Sequence, residues 1–523
     1  MALLAFLLVG AARAYPASLD PIAIHYSSAT TGDRTGWHDI AGAITHKGVH
    51  HVFQGTGWNH ASSPDLVRWS AAPHGPSAIE ETYAGMDSRS DPCSGFLTKD
   101  PLDGDRVCAG FRQCGSSEGV AGGQAWDVPL ELRCAVDDDL SAFDDASPEY
   151  LFNVSFWRHI PYDPARPWVG GDGRWYVLLS MDGCNATDAP REGEGCALGG
   201  QLDAWSSPAL RGPEADWTYV GPAFTDNTTV LPGAHLEHEF VTIDFLGFPE
   251  VDPKLRVFFD NVGGNGGGVG CCSGTTSWRV MNETAPGGPF EELATGMVDY
   301  GAFVYDGGDV HGTGSRGFSM ARTLGSEAVD QVAEPGRRVM IGWTGPPPNA
   351  MNTSGRGSAQ SLPRELTLSG LELLQRFVPE LEALRRDPVA PVDGVFPATR
   401  QAEAVATFAA AACASGCGFD LLLDVEAGAS LVRVSVAGGR VLVDATTLGN
   451  PDVRAGPLPP AVDGAYVFHA IVDHSIVELI VNNRTALVVY AAPGPANTGA
   501  SVQTGGTLVV WPLEDPGHNY TAP

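Results

Sequence analysis

Between Gly36 and Trp69 the chain reads GWHDIAGAITHKGVHHVFQGTGWNHASSPDLVRW, with one carboxylate, Asp39, close to Trp37, His38, Gln54, Trp58 and His60. Aromatic rings stack on the apolar C–H faces of a pyranose or furanose, and polar groups among them fix the hydroxyls. This mixture describes a sugar site; the plainer alternative is a hairpin in which Asp39 caps a turn. Two later stretches supply further carboxylates. PYDPARPWVGGDGRWYVLLS (Pro161 to Ser180) carries Asp163, and HLEHEFVTIDF (His235 to Phe245) carries Glu237 and Glu239. Retaining glycoside hydrolysis needs two carboxyl groups roughly 5 Å apart. One attacks the anomeric carbon ionised, and the other holds a proton for the leaving oxygen. Glu237 and Glu239 share a strand face under period-two alternation, so either could be that acid.

Other chemistries fit poorly. HLEHE is neither HExxH nor HxxEH, and a strand does not give the i, i+4 geometry that brings two such histidines to one metal. Glycine-rich GGNGGGVGCCSG lacks the lysine of a phosphate-binding loop, and no G-x-S-x-G elbow offers a serine nucleophile. A formal charge of −31 opposes nucleic acid or an anionic membrane surface as partner and suits a neutral substrate.

The elements that would position these residues are short strands. HHVFQG, RVCAGF, RWYVLLS, KLRVFFDN and RRVMIGW are five strand candidates bounded by Gly, Pro or Asp, and 65 Gly with 39 Pro imply many turns. Regular short strands suggest a barrel, a sandwich or a propeller, and spacing does not choose among them. Leu371 to Arg386 reads as a link with short helical pieces around Pro379. After Pro388, GFDLLLDVE, LVRVSVAGGRVLVDA, AYVFHAIVDHSIVELIVNN, ALVVYAAP and TLVVWPLE alternate with period two, as in a β-sandwich.

Met1 to Ala14, MALLAFLLVGAARA, reads as a signal peptide, although its start carries no Lys or Arg. Sequons at Asn153, Asn185, Asn227, Asn282, Asn352, Asn483 and Asn519 are compatible with export. Ten cysteines would then tend to pair. Cys108 with Cys114, Cys184 with Cys196 and Cys413 with Cys417 are the local candidates.

WNHASSPDLVRW (Trp58 to Trp69) resembles the WGHAxSxDLxxW segment of glycoside hydrolase family 32, the invertases, inulinases, levanases and fructosyltransferases. GWHDIAG sits where that family has WMNDPNG, with His38, Ile40 and Ala41 replacing Asn, Pro and Asn. In the family's order follow DYGAFVYDG (Asp299 to Gly307), RRVMIGWTG (Arg337 to Gly345), SLPRELTL (Ser361 to Leu368) and VDHSIVELIVNN (Val472 to Asn483). The resemblance implies an all-β chain, a five-bladed β-propeller followed by a C-terminal β-sandwich. Its expected division is 1–14 signal peptide, 20–370 propeller, 371–390 linker and 391–523 sandwich.

The same resemblance implies a β-fructofuranosidase-like, retaining glycosidase, which the leader-like Met1 to Ala14 and the sequons would send through the secretory pathway. Asp39 falls on the nucleophile and Glu239 is taken as acid/base, with Glu237 as its rival. Asp163 falls on the transition-state stabiliser of an RDP motif whose Arg is here Tyr162; Arg158 and Arg166 are the nearby cations that could reach that space. Gln54, Trp58, Ser94 and Gly95 correspond in placement to fructose-pocket residues. Asp473, Ser475 and Glu478 look catalytic in isolation and are expected to be structural. No cofactor and no metal are implied, and the partner is a carbohydrate such as sucrose or a fructan. Fructosyl transfer, a silent fructan-binding protein and action on arabinose-type furanosides are the alternatives.

Overall fold

The five clearest apolar runs form the strands Val49–Gln54, Arg106–Cys114, Trp175–Asp182, Leu255–Gly264 and Arg338–Thr344, each in a separate antiparallel sheet of four or five strands. In every case it is the second strand, with a partner on both sides. The first strands are Ile40–His46, Asp91–Asp100, Pro161–Pro164, Leu236–Glu237 continued by Ile243–Gly247, and Phe318–Thr323. These five sheets are the blades of a five-bladed β-propeller, and a β-sandwich follows. The computed structural model describes residues 22–26, 40–54, 58–71, 79, 91–114, 126–144, 149–156, 161–182, 200–225, 236–237, 243–248, 251–264, 275–306, 309–312, 317–325, 337–344, 359–426, 428, 430–450, 452–503 and 505–518. Met1–Ala14 and the Cys184–Cys196 pair lie outside them.

Each seam between blades has its own apolar core. Ile44, Phe53 and Trp58 of blade one meet Leu97 and Phe111 of blade two. Phe96 and Leu132 meet Trp175 and Val177 of blade three. Trp168 and Tyr176 meet Phe245 and Phe258 of blade four, and Val257 and Phe259 meet Phe318 and Met340 of blade five. The ring closes where Ile40, Val52 and Trp69 pack with Leu324, Ile341 and Trp343. Among the described residues no strand is shared between blades one and five, so this last core bears the closure. It also takes in Ile24 and Tyr26 of the N-terminal stretch and Ile471 and Ile480 of the sandwich.

The sandwich consists of an eight-stranded and a five-stranded sheet around a core of Val, Leu, Phe and Ala side chains. The hairpin Phe303–Asp306 and Asp309–Gly312, expected within the propeller, extends the eight-stranded sheet instead, because Val304 pairs with Arg454. The expected linker also divides. Glu372–Phe377 is the outer strand of blade five, paired along Arg364–Ser369, and only Pro379–Leu384 forms a short 3-10 helix.

A buried chain of charges joins the two domains. Arg364 Nη2 donates to Asp299 at 3.0 Å and to Glu478 at 2.8 Å, with all three side chains fully buried. Glu478 also lies 3.1 Å from His25 Nε2, whose Nδ1 is 2.9 Å from Asp473. Asp473 accepts the backbone N–H groups of Ala23, Ile24 and His25. The DYG, LPREL and VDHSIVE segments therefore converge on one structural network, in keeping with the structural role expected of Asp473 and Glu478. Burial opposes protonation of His25, but its hydrogen bonds to Asp473 and Glu478 outweigh that and raise its pKa to about 9.

Cys413 pairs with Cys417, as one of the local candidates had it. Cys108 pairs with Cys134, not with Cys114. Cys108 and Cys114 share the strand Arg106–Cys114, and an extended strand holds residues six apart about 20 Å from each other. Cys134 is the direct cross-strand neighbour of Cys108, with Cα atoms 3.9 Å apart.

Two outcomes are expected from this network. Arg364→Met removes the cation that two buried carboxylates share, although Glu478 keeps His25, and should cost about 3–5 kcal/mol in chemical denaturation. His25 has a raised pKa, so its contribution is complete below pH 6.5 and is lost as pH rises toward about 9. The melting temperature should fall across that window in the native chain and should not show that component in His25→Gln.

Candidate active site

The nominated carboxylates all belong to the first strands of blades or to the residues just before them. Asp39 immediately precedes Ile40–His46, Asp163 lies in Pro161–Pro164, and Glu239 lies in sequence between Leu236–Glu237 and Ile243–Gly247 of blade four. Asp39 and Glu239 lie outside the described residues, and Asp163, Glu237 and Ser94 are placed by their strands alone. First strands line the centre of a propeller, and here Ile40–His46 neighbours both Asp91–Asp100 and Phe318–Thr323.

Below those strand heads lies a fully buried cation. Arg166 Nη2 donates to Ala43 O of blade one at 3.0 Å and to Thr323 O of blade five at 2.7 Å; Nη1 donates to Gly325 O at 3.3 Å. Asp244 of blade four is its ion-pair partner at 3.7 Å and accepts the Thr323 N–H and hydroxyl at 2.6 and 2.8 Å. The idea that Arg166 replaces the missing Arg at position 162 is thus overturned. Its guanidinium is committed to carbonyls inside the ring. A second buried arginine, Arg322, donates from Nε to Ile40 O at 3.2 Å, the carbonyl of the residue after Asp39.

The expected pocket residues part company. Gln54, buried, ends its strand directly across the ladder from Ile40 and from Asn59. Gly95 sits at a register shift between Pro92 and Gly95, a bulge of the kind that re-aims a neighbouring side chain. A Cβ there would stand 1.9 Å from Gly110 O, so only glycine fits. Trp58 is 0 % exposed, with its ring against Phe53 and Phe111. It presents no free face for a sugar; its place is the core between blades one and two, which corrects its expected place among the fructose-pocket residues. His60 is likewise a seam residue, stacked on Phe53 at 4.2 Å and bonded to His51 at 2.9 Å. Burial keeps this pair neutral, pushing His51 down to about 3 and His60 well below the usual imidazole value.

Sequence reasoning missed Arg322 and Asp244. Asp244 stands in the quoted EFVTIDF run, and a charge amid apolar strand residues was the available signal for a buried partner.

No protein-family model matches the sequence, and no curated protein does. Solved structures match over nearly the whole chain. A fructosyltransferase from A. japonicus superposes with a TM-score of 0.69 at 15 % identity, covering 96 % of this chain and 96 % of that one. An exo-inulinase from Aspergillus awamori gives 0.67 at 16 %, covering 95 % and 98 %. A GH32 β-fructofuranosidase from Bombyx mori gives 0.63 at 14 %, covering 92 % of each. The chain has the family 32 glycoside hydrolase fold. At such identities the likeness speaks for architecture, and the chemistry has to be argued from the residues.

Trp58→Ala should lower stability by about 3–5 kcal/mol, as loss of a large buried aromatic does. Urea denaturation measures this, and an unchanged midpoint with weakened sugar binding would return Trp58 to the pocket wall. Gly95→Ala should cost about 1–3 kcal/mol by overpacking against Gly110.

Proposed function

We propose that the protein is an exported, retaining glycosidase that cleaves β-fructofuranosidic bonds of sucrose or of inulin- or levan-type fructans. The observation that supports this most is the tie beneath the strand heads. Blades one, three, four and five come within reach of one guanidinium, and three of them carry the nominated carboxylates just upstream. A fold found in enzymes titled exo-inulinase, fructosyltransferase and β-fructofuranosidase adds to that support.

In this reading Asp39 attacks the anomeric carbon of the fructosyl unit while Glu239 protonates the leaving oxygen. The covalent fructosyl–enzyme is then opened by water that Glu239, now a base, deprotonates. Asp163 accepts hydrogen bonds from two fructose hydroxyls, and these tighten as the ring flattens toward its oxocarbenium-like transition state. Gln54, Ser94 and the Gly95 bulge belong to the pocket wall. Glu237, the last residue of Leu236–Glu237, is the acid if Glu239 is not. Export is supported by the leader-like Met1–Ala14, the sequons and the two disulfides Cys108–Cys134 and Cys413–Cys417.

A second reading keeps the scaffold and drops turnover. The departures at His38, Ile40, Ala41 and Tyr162 favour it, since Ile40 and Ala41 are wholly buried core residues where the resembled motif carries Pro and Asn.

The test is product analysis with sucrose, inulin and levan, with Asp39→Asn and Glu239→Gln in parallel. Free fructose should appear with the native chain and fall at least about 10³-fold in either variant. Longer oligosaccharides would mark transfer, released arabinose from an arabinofuranoside would move the substrate class, and sugar binding without product would establish the silent reading. Normal turnover in Glu239→Gln would pass the acid role to Glu237.

A further inference from the structure

We infer that Arg166 is a positioning residue: its guanidinium holds the strands that carry Asp39, Asp163 and the Glu237–Glu239 stretch in register, and so sets the separation of their carboxylates. The inference rests on the functional reading above and assigns a role to a residue that touches no substrate.

The spacing is the first argument. Ala43, whose carbonyl Arg166 holds, is four residues after Asp39; Arg166 itself is three after Asp163; and its partner Asp244 is five after Glu239. Asp39, Asp163 and Glu239 therefore each lie within five residues upstream of a contact to one planar group, and the rival acid Glu237 lies seven upstream. Blade five completes the tie through Thr323 and Gly325. Among the described residues the hydrogen bonds of Arg166 run to blades one and five and its ion pair to blade four. Blade two, which has no nominated carboxylate, is left out of these contacts.

The second argument is the shape of the group and of its surroundings. Guanidinium offers five N–H donors in a rigid fork, so one side chain can hold several carbonyls at fixed angles; an ammonium cannot reproduce that. Gly325 is cut to match, since a Cβ there would stand 2.6 Å from Arg166 Nη1. The side chain is 3 % exposed and the Asp244 side chain 1 %, so water does not share in these contacts. A surface arginine meeting loop carbonyls would show none of this.

The consequence for chemistry follows from distance. Carboxyl groups about 5 Å apart suit a covalent intermediate, whereas about 6.5–9.5 Å leaves room for water and inversion. A misplacement of about 1 Å can cost about 10²-fold in rate. Loosening the tie should therefore act on the chemical step more than on sugar affinity.

The experiment compares native protein with Arg166→Lys, Arg166→Met and Gly325→Ala by two readouts: kcat and KM on sucrose, and hydrogen exchange of backbone amides. Gly325→Ala keeps the arginine and displaces its guanidinium, which covers the case in which Arg166→Met fails to fold. Expected is a fall in kcat of about 10²-fold with KM within about threefold, shared by Arg166→Lys. Exchange should quicken together over residues 40–46, 161–169, 243–247 and 318–325 and stay unchanged over 465–490 in the sandwich. A kcat within about twofold of native, full recovery by lysine, or exchange that is unchanged or faster everywhere alike would overturn the inference. A native protein without turnover on any fructoside overturns the functional reading instead, and the exchange data then still decide whether Arg166 registers these strands.

Discussion

A guanidinium sealed from water has to be matched in charge and in hydrogen bonds, and at Arg364 that requirement organises the joint between propeller and sandwich. Withdrawing such a cation from water costs several kcal/mol, recovered only if the counter-charges are well placed. Asp299 and Glu478 supply them; Asp299 is itself fixed by the N–H groups of Gly301 and Val488, and Glu478 by the N–H of Leu362. Burial nevertheless pushes the Asp299 carboxyl up, while Glu478 is held below its usual range against its own burial, by Arg364 and His25. One residue thus dictates the mutual placement of the blade-five strand Arg364–Ser369, the turn after blade four and the sandwich strand Ile476–Val481.

Much of the architecture could be read before any coordinates. The five apolar runs are second strands, covered by strands on both edges and by seam cores on both faces, so packing fills their middles with apolar side chains such as Val52, Phe53, Val177, Leu178, Val257 and Phe258. Sandwich strands kept their period-two alternation because one face meets the core and the other is more open, as in Val432–Ala437. First strands were harder. They carry polar residues and bulges, as at Gly95, and these break the periodicity on which such reading depends.

The candidate site was legible as a set of nominees and not as an arrangement. Motif order pointed to Asp39, Asp163 and Glu239, but nothing in the string distinguishes a tryptophan that faces a sugar from one that fills a seam, and Trp58 fills a seam. Arg166 looked like a substrate contact because it is close in sequence to Asp163. Its reach across the ring to Ala43 and Thr323 is a product of tertiary packing alone. Cys108 was paired by proximity along the chain, whereas strand register decides which sulfur it meets. Each of these errors substituted distance in sequence for distance in space.

The clamp on the N-terminal stretch has a bearing on biogenesis. His25 is made early, yet its partner Asp473 lies 448 residues further on. At about 5–20 residues per second, synthesis takes roughly 20–90 s to reach that partner. His518, which bonds Ile24 O and the Trp69 N–H, arrives later still. When blade five is complete at Phe377, the last seam still lacks Ile471 and Ile480 of its apolar cover. From that point until the sandwich is made, the apolar core that closes the ring stays partly uncovered.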